Sequence, residues 1–216
     1  MKKNILFLAL ALYTIPLLSS DKKTEMICQL FHIGAIKTGE FRLKSGMISP
    51  IYIDMRSVIS HPKIFLSTVN LLAQQMHNCT FDHVVGVPYA ALPFASGLAL
   101  LHQRSMIMPR KEIKDHGTRK AVEGVYHAGQ SAIIIEDVIT TGGSILEIVE
   151  ILKNEGIYVR DAIVFIDREQ GGRQKLADRG IRLHAVCTLT DIFTTLHDSG
   201  LISAGELQNI LSSTHQ

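Results

Sequence analysis

The sequence predicts an α/β protein built on a doubly wound, mainly parallel sheet with a small hood beside it. Three observations carry this. Apolar runs rich in Val and Ile recur at residues 83–87, 105–108, 131–135, 162–166 and 183–187; amphipathic helical stretches lie between them; and a turn of hydroxyls and glycines follows the third run. The runs are mostly continuous rather than alternating, which suits strands covered on both faces. Strands that alternate with helices imply βαβ units.

Taken in order, the chain begins with Lys2 and Lys3, an apolar run over residues 5–18 that contains Pro16, and then Ser19 and Ser20. That is the layout of a secretory signal, and the run is short for a membrane span. An export signal, an uncleaved anchor, and a start assigned too far upstream, with Met26 as an internal start, all fit it. Residues 1–20 are therefore set apart, and residues 21–216 are read as one domain, because no repeat and no Pro/Ser/Gly linker divides them. Residues 41–56, "FRLKSGMISPIYIDMR", break into short β-prone pieces at Ser45-Gly46 and Ser49-Pro50, which predicts a hairpin forming the hood. Residues 62–76 place Ile64 or Phe65, Val69, Leu72 and Met76 on one helical face, with Ser60 and Pro62 as start signals. Residues 144–154 align Ile145, Ile148, Val149 and Leu152 and stop at Gly156. Residues 110–129 hold three glycines and many charges without an apolar period, which predicts a long functional loop.

With 46% hydrophobic and 19% charged residues in 216, the composition is that of a folded protein, and a net charge of +2 gives no reason to expect a nucleic-acid or membrane partner. The local exception is the cluster Arg110, Lys111, Lys114, His116, Arg119 and Lys120. Cys28, Cys79 and Cys187 are widely separated, and the ten His residues show no ligand spacing, so neither a disulfide framework nor a protein-built transition-metal site is expected.

The chemistry concentrates in "AIIIEDVITTGGSI", residues 132–145. Ligands of open α/β sheets bind beyond the carboxyl ends of the strands. Glu136 and Asp137 are expected there, at the end of the 132–135 strand, facing a site. Next, Thr140, Thr141, Gly142, Gly143 and Ser144 form a small-residue turn into a helix, where converging N–H groups and hydroxyls favour an anion. A phosphate cradle beside two carboxylates suits a ligand with both a phosphate and a vicinal diol, and the carboxylates can help hold Mg²⁺ through water. The chain lacks G-x-x-x-x-G-K-[ST], and no G-x-G-x-x-G follows a strand.

These residues resemble the phosphoribosyl pyrophosphate (PRPP) signature of type I phosphoribosyltransferases. Together with "FRLKSGMISPIYIDMR", "GVPYAALPFA", "PRKEIKDHG" and "FIDREQGG", they resemble the orotate phosphoribosyltransferases over residues 24–197, in the form that animals fuse to a decarboxylase. The resemblance implies a Mg²⁺-dependent transfer of 5-phosphoribose from PRPP to orotate. It implies that Glu136 and Asp137 hold the ribose hydroxyls, that Thr140, Thr141, Gly142, Gly143 and Ser144 bind the 5′-phosphate, and that Val138 and Ile139 between them also belong to the PRPP site. Arg110, Lys111, Lys114 and His116 match a mobile catalytic loop, with Lys114 and His116 covering the pyrophosphate of a neighbouring subunit in a homodimer. Lys44 matches a position near pyrophosphate and orotate; Tyr52, Ile53, Thr140 and Arg168 match orotate-contacting positions. The catalytic set so implied is Lys44, Lys114, His116 and Asp137. Ala90 departs from the pattern, since bacterial single-domain members usually carry Lys there.

Two other readings keep part of these residues: a phosphoribosyltransferase for another base, and a non-catalytic regulator that retains the PRPP site. The first has no need of the F-x-L-K-S-G and D-R-E-Q-G-G segments, and the second has no need of the intact basic loop. The resemblance also implies a cytoplasmic enzyme, since its substrates are cytosolic metabolites, and no nucleic-acid or membrane partner. On that reading residues 1–20 are a wrong start or an extension that does not direct export.

Overall fold

The computed structural model describes residues 18–42, 48–110 and 121–214. Helix α1 (Leu18–His32) leads into an antiparallel hairpin, β1 (Ile36–Arg42) with β2 (Ile48–Ile53), a 3-10 turn and α2 (Pro62–Gln74). Then follow β3 (His83–Gly86), α3 (Leu92–Leu101), β4 (Ser105–Met106), β5 (Met108–Pro109) and β6 (Val122–Glu123). The chain closes with β7 (Ser131–Ile139), α4 (Gly143–Asn154), β8 (Tyr158–Asp167), α5 (Gly172–Ala177), β9 (Arg182–Thr188), α6 (Leu189–Asp198) and α7 (Ala204–Thr214).

Five strands form one parallel sheet in the order β4-β3-β7-β8-β9. The apolar runs become its centre because their residues are buried on both faces. Ile133, Ile135, Ile163 and Phe165 pack with α1, α2, α3 and α6, whereas Ile134, Ala162 and Val164 pack with Ile145, Ile148 and Leu152 of α4. Two cores on opposite faces of one sheet are the doubly wound arrangement that the sequence predicts.

Several boundaries differ from the expectation. The third strand runs on to Ile139 instead of stopping at residue 135, because β8 keeps pairing with it through Val138↔Ile166 and Ile139↔Asp167. The run at 105–108 divides: the buried Ile107 still donates its N–H to Val84 at 3.1 Å, but Met108 and Pro109 turn away to pair with β6. Consequently the segment read as one loop from 110 to 129 contains a short strand, and only residues 111–120 lie outside the described residues. The hairpin begins at Ile36 rather than at 41. Ser60 does not cap α2; it ends the preceding 3-10 turn, His61 is the cap, and Pro62 opens the helix. Gly156 takes φ +74° just past α4, as expected of a C′ glycine.

The amino-terminal boundary drawn at residue 20 falls inside α1, which starts at Leu18; the leader before it lies outside the described residues. Met26, Ile27 and Leu30 of this helix are buried in the core, and Lys23 bonds Asp191 at 2.7 Å. No helix among the described residues is long and apolar enough to cross a membrane.

Candidate active site

Sequence and topology meet at the carboxyl end of β7. Glu136 and Asp137 lie within β7, after Ile135 and before Val138, which packs against the same core as Ile135. Glu136 is 8% exposed, so it faces the pocket described below from a largely buried position; Asp137 is half-buried and donates its backbone N–H to Glu136 Oε1 at 3.1 Å. Burial, reinforced by the Asp137 carboxylate beside it, pushes the Glu136 carboxyl well above the ordinary carboxylate range.

Beyond the strand lies a pocket of about 220 Å³ lined by Glu136, Val138, Ile139, Thr140, Thr141, Gly142, Gly143, Ser144, Ile145 and Glu147. Gly142, at φ +76°, is the N-cap of α4 and brings no side chain to the first-turn amides, and no acidic residue occupies that first turn. These amides have no intrahelical acceptors, and the helix dipole adds positive potential, so the pocket suits a phosphate. Gly143 is informative here. A Cβ at this position meets nothing within 4 Å, so packing does not demand glycine, and the missing side chain leaves the helix terminus open to a ligand.

A second loop, "DREQGG" at residues 167–172, is joined to the first. Arg168 N–H donates to Ile139 O and Gly172 N–H to Thr140 O, both at 3.0 Å. A Cβ on Gly172 would lie 2.5 Å from Thr140 O, so only glycine permits this approach. Asp167, at 2% exposure, accepts Glu169 N–H at 2.9 Å and the Arg173 guanidinium at 3.1 Å. With Asp167 engaged by Arg173, and Glu169 turned to Thr190, neither neighbour neutralises Arg168. Its guanidinium is partly buried, burial holds its pKa below the usual arginine value, and its Nε is the buried side-chain polar atom left without a partner among the described residues. A planar cation with an unmet donor fits a carboxylate.

The remaining expected residues are distributed as follows. Thr140, Thr141 and Ser144 are exposed at the pocket. Tyr52 is 37% exposed, stacks on Phe41 with ring centroids 5.5 Å apart and donates to Asp54 at 3.3 Å, while Ile53, its neighbour on the strand, packs towards the core. Arg110 stands at the base of the basic loop and is ion-paired with Glu123, a partner the sequence does not reveal because the two meet only through the β5–β6 pairing. Ala90 lies in the turn between β3 and α3. Lys44, Lys111, Lys114 and His116 lie outside the described residues.

Two other features are distinct from this site. A larger hollow of about 430 Å³ between the hairpin and α7 is lined by Glu40 and Glu206, the wrong charge for an anionic ligand. Cys79, Asp161 and His184 bring three ligand-type atoms within 4.8 Å. Burial raises the Asp161 carboxyl, but His184 at 2.7 Å and Arg182 at 2.9 Å outweigh it and hold its pKa below the ordinary value. Both oxygens are thus occupied by a cross-strand ion pair between β8 and β9.

A prediction follows from the buried Glu136. The raised Glu136 carboxyl holds its proton to higher pH than an ordinary carboxylate, and a ligand that needs the carboxylate as an acceptor expels that proton. Binding of an anionic ligand whose hydroxyls need this carboxylate as an acceptor is expected to release up to about one proton per site and to tighten as pH rises above the ordinary carboxylate range. Calorimetry in buffers of different ionisation enthalpy measures this directly.

Residues 57–184, more than half of the chain, match the model of the phosphoribosyl transferase domain. The chain is 44% identical over 188 residues to the uridine 5'-monophosphate synthase of Bos taurus, covering 86% of this chain but 39% of that protein. It is 38% identical to an orotate phosphoribosyltransferase of Caenorhabditis elegans, covering 88% of this chain and 82% of the relative. Among solved structures, the orotate phosphoribosyltransferase of Aeropyrum pernix superposes with a TM-score of 0.68 at 32% identity, covering 81% of this chain and 99% of that one. The chain thus spans about two fifths of the length of the synthases it matches.

Proposed function

This chain belongs to the phosphoribosyl transferase family, among its orotate phosphoribosyltransferases, and from that premise we propose that it transfers the 5-phosphoribosyl group of PRPP to a ring nitrogen of orotate, in pyrimidine synthesis. The bond from ribose C1′ to pyrophosphate breaks, a C1′–N bond forms, the N–H proton of orotate is released, and the products are orotidine 5′-monophosphate and pyrophosphate. One observation supports this most strongly: two hydrogen-bonded loops set an open helix terminus beside a partly buried guanidinium whose Nε has no partner among the described residues. The first loop suits the 5′-phosphate and the second the orotate carboxylate. In this reading Tyr52 and Ile53 are the further orotate contacts that the family resemblance implies.

The fixed groups act by position. The amides at the start of α4 anchor the phosphate, and Glu136 and Asp137 accept hydrogen bonds from the ribose hydroxyls, so the sugar is held while its C1′ gains oxocarbenium character. Lys44, Lys114 and His116 are the cations for the leaving pyrophosphate. Oxygen-only donors such as Glu136 and Asp137 fit Mg²⁺, a hard cation that keeps most of its water. When bound, Mg²⁺ draws negative charge from the leaving group. The working unit in this reading is a cytoplasmic homodimer whose loops cover each other's sites; an active monomer in light scattering would contradict that part.

Asp137→Asn tests the ribose assignment, because it keeps size and removes charge. It is expected to lower kcat on the order of 10- to 100-fold with an unchanged melting temperature. Unchanged turnover counts against the assignment.

A further inference from the structure

Resting on the reading of Arg168 as the orotate-carboxylate residue, we propose that Glu169 is the positioning residue that aims it. Glu169 has φ +58°, a left-handed conformation that costs a residue with a side chain free energy and that persists where surrounding contacts impose it. Those contacts are visible. Its N–H donates to Asp167 Oδ1 at 2.9 Å, and its own Oε2 accepts from Thr190 N–H at 2.8 Å and Thr190 Oγ1 at 2.7 Å. Thr190 lies in the first turn of α6, where unpaired amides and the helix dipole favour a carboxylate.

The clamp matters because of what Arg168 lacks. No acceptor among the described residues meets its Nε, so within them the aim of the side chain is set largely from its backbone. That backbone is pinned on one side by the 3.0 Å bond from Arg168 N–H to Ile139 O. On the other side the chain reverses at Glu169 and is fastened to α6. The same carboxylate that fastens the turn is also kept off Arg168, which leaves the guanidinium for an incoming anion. Glu169 is solvent-exposed, so its two hydrogen bonds add little to global stability. Its contribution is geometric, and a displacement of about 1 Å at a reacting centre is enough to slow an enzyme severely.

Glycine and alanine at this position separate strain from the clamp. Glu169→Gly removes the carboxylate and relieves the left-handed strain, so the protein is expected to melt no lower than wild type; Glu169→Ala keeps the strain. Both are expected to raise the orotate KM by about five- to twentyfold and to leave the PRPP KM within about twofold. Thr190→Val is expected to give a smaller rise, and the Glu169→Gly/Thr190→Val pair no more than Glu169→Gly alone, because both remove one contact. Arg168→Ala is measured alongside. An orotate KM unmoved in Glu169→Gly but raised in Arg168→Ala, or additive effects of the pair, overturns the clamp. An orotate KM unmoved in Arg168→Ala overturns the underlying reading instead.

Discussion

Gly143→Leu is expected to raise the KM for PRPP on the order of 10- to 100-fold without loss of stability. The side chain enters open space, since nothing lies within 4 Å of the built Cβ, and leucine is a better helix former than glycine. The fold has no reason to weaken. What the side chain obstructs is the approach to the amides at the start of α4. A phosphate that loses one of these charge-assisted hydrogen bonds loses about 1.5–3 kcal/mol, which sets the expected factor. Steady-state kinetics with PRPP varied, together with a melting curve, checks both halves. An unchanged PRPP KM removes the phosphate from this pocket, whereas a lowered melting temperature means that Gly143 serves packing.

Arg168→Ala is expected to lower kcat/KM for orotate by about 100- to 1000-fold, the loss of a paired, charge-assisted grip on a carboxylate. Arg168→Lys should recover little, because an ammonium cannot offer two parallel donors. The sharper measure is the preference for orotate over uracil, which differs by lacking the carboxylate. That ratio should collapse in Arg168→Ala, while general damage to the site would lower both substrates together. Since its Nε meets no partner among the described residues, removing the side chain should cost the fold little.

The sequence makes the sheet legible because its strands are buried on both faces, and continuous Val/Ile runs read as such. The five runs at 83–87, 105–108, 131–135, 162–166 and 183–187 all belong to the parallel sheet, although Met108 leaves it to pair with β6. Boundaries failed where pairing, not composition, decides them. Glu136 and Asp137 look like the end of a strand, yet β8 holds the strand in register to Ile139, and Glu136 faces the pocket from a largely buried position. Helix α3 was missed because its sequence is apolar nearly all round and carries no period. The small-residue turn at 140–144 could be proposed as an anion site because that reading depends on residue type and local spacing, whereas Arg168 was proposed through the family resemblance. The Glu169–Thr190 bond and the Arg110–Glu123 pair were not legible, because each joins segments that only the fold brings together.

The measurement that bears most directly on the central claim is loss of orotate absorbance when the purified 216-residue chain is mixed with PRPP and Mg²⁺, with adenine, hypoxanthine and uracil run in parallel and products separated by chromatography. The expected result is consumption of orotate that requires both PRPP and Mg²⁺, with orotidine 5′-monophosphate and pyrophosphate formed in equal amounts. Turnover of another base in place of orotate, or binding of PRPP with no turnover of any base, would contradict it.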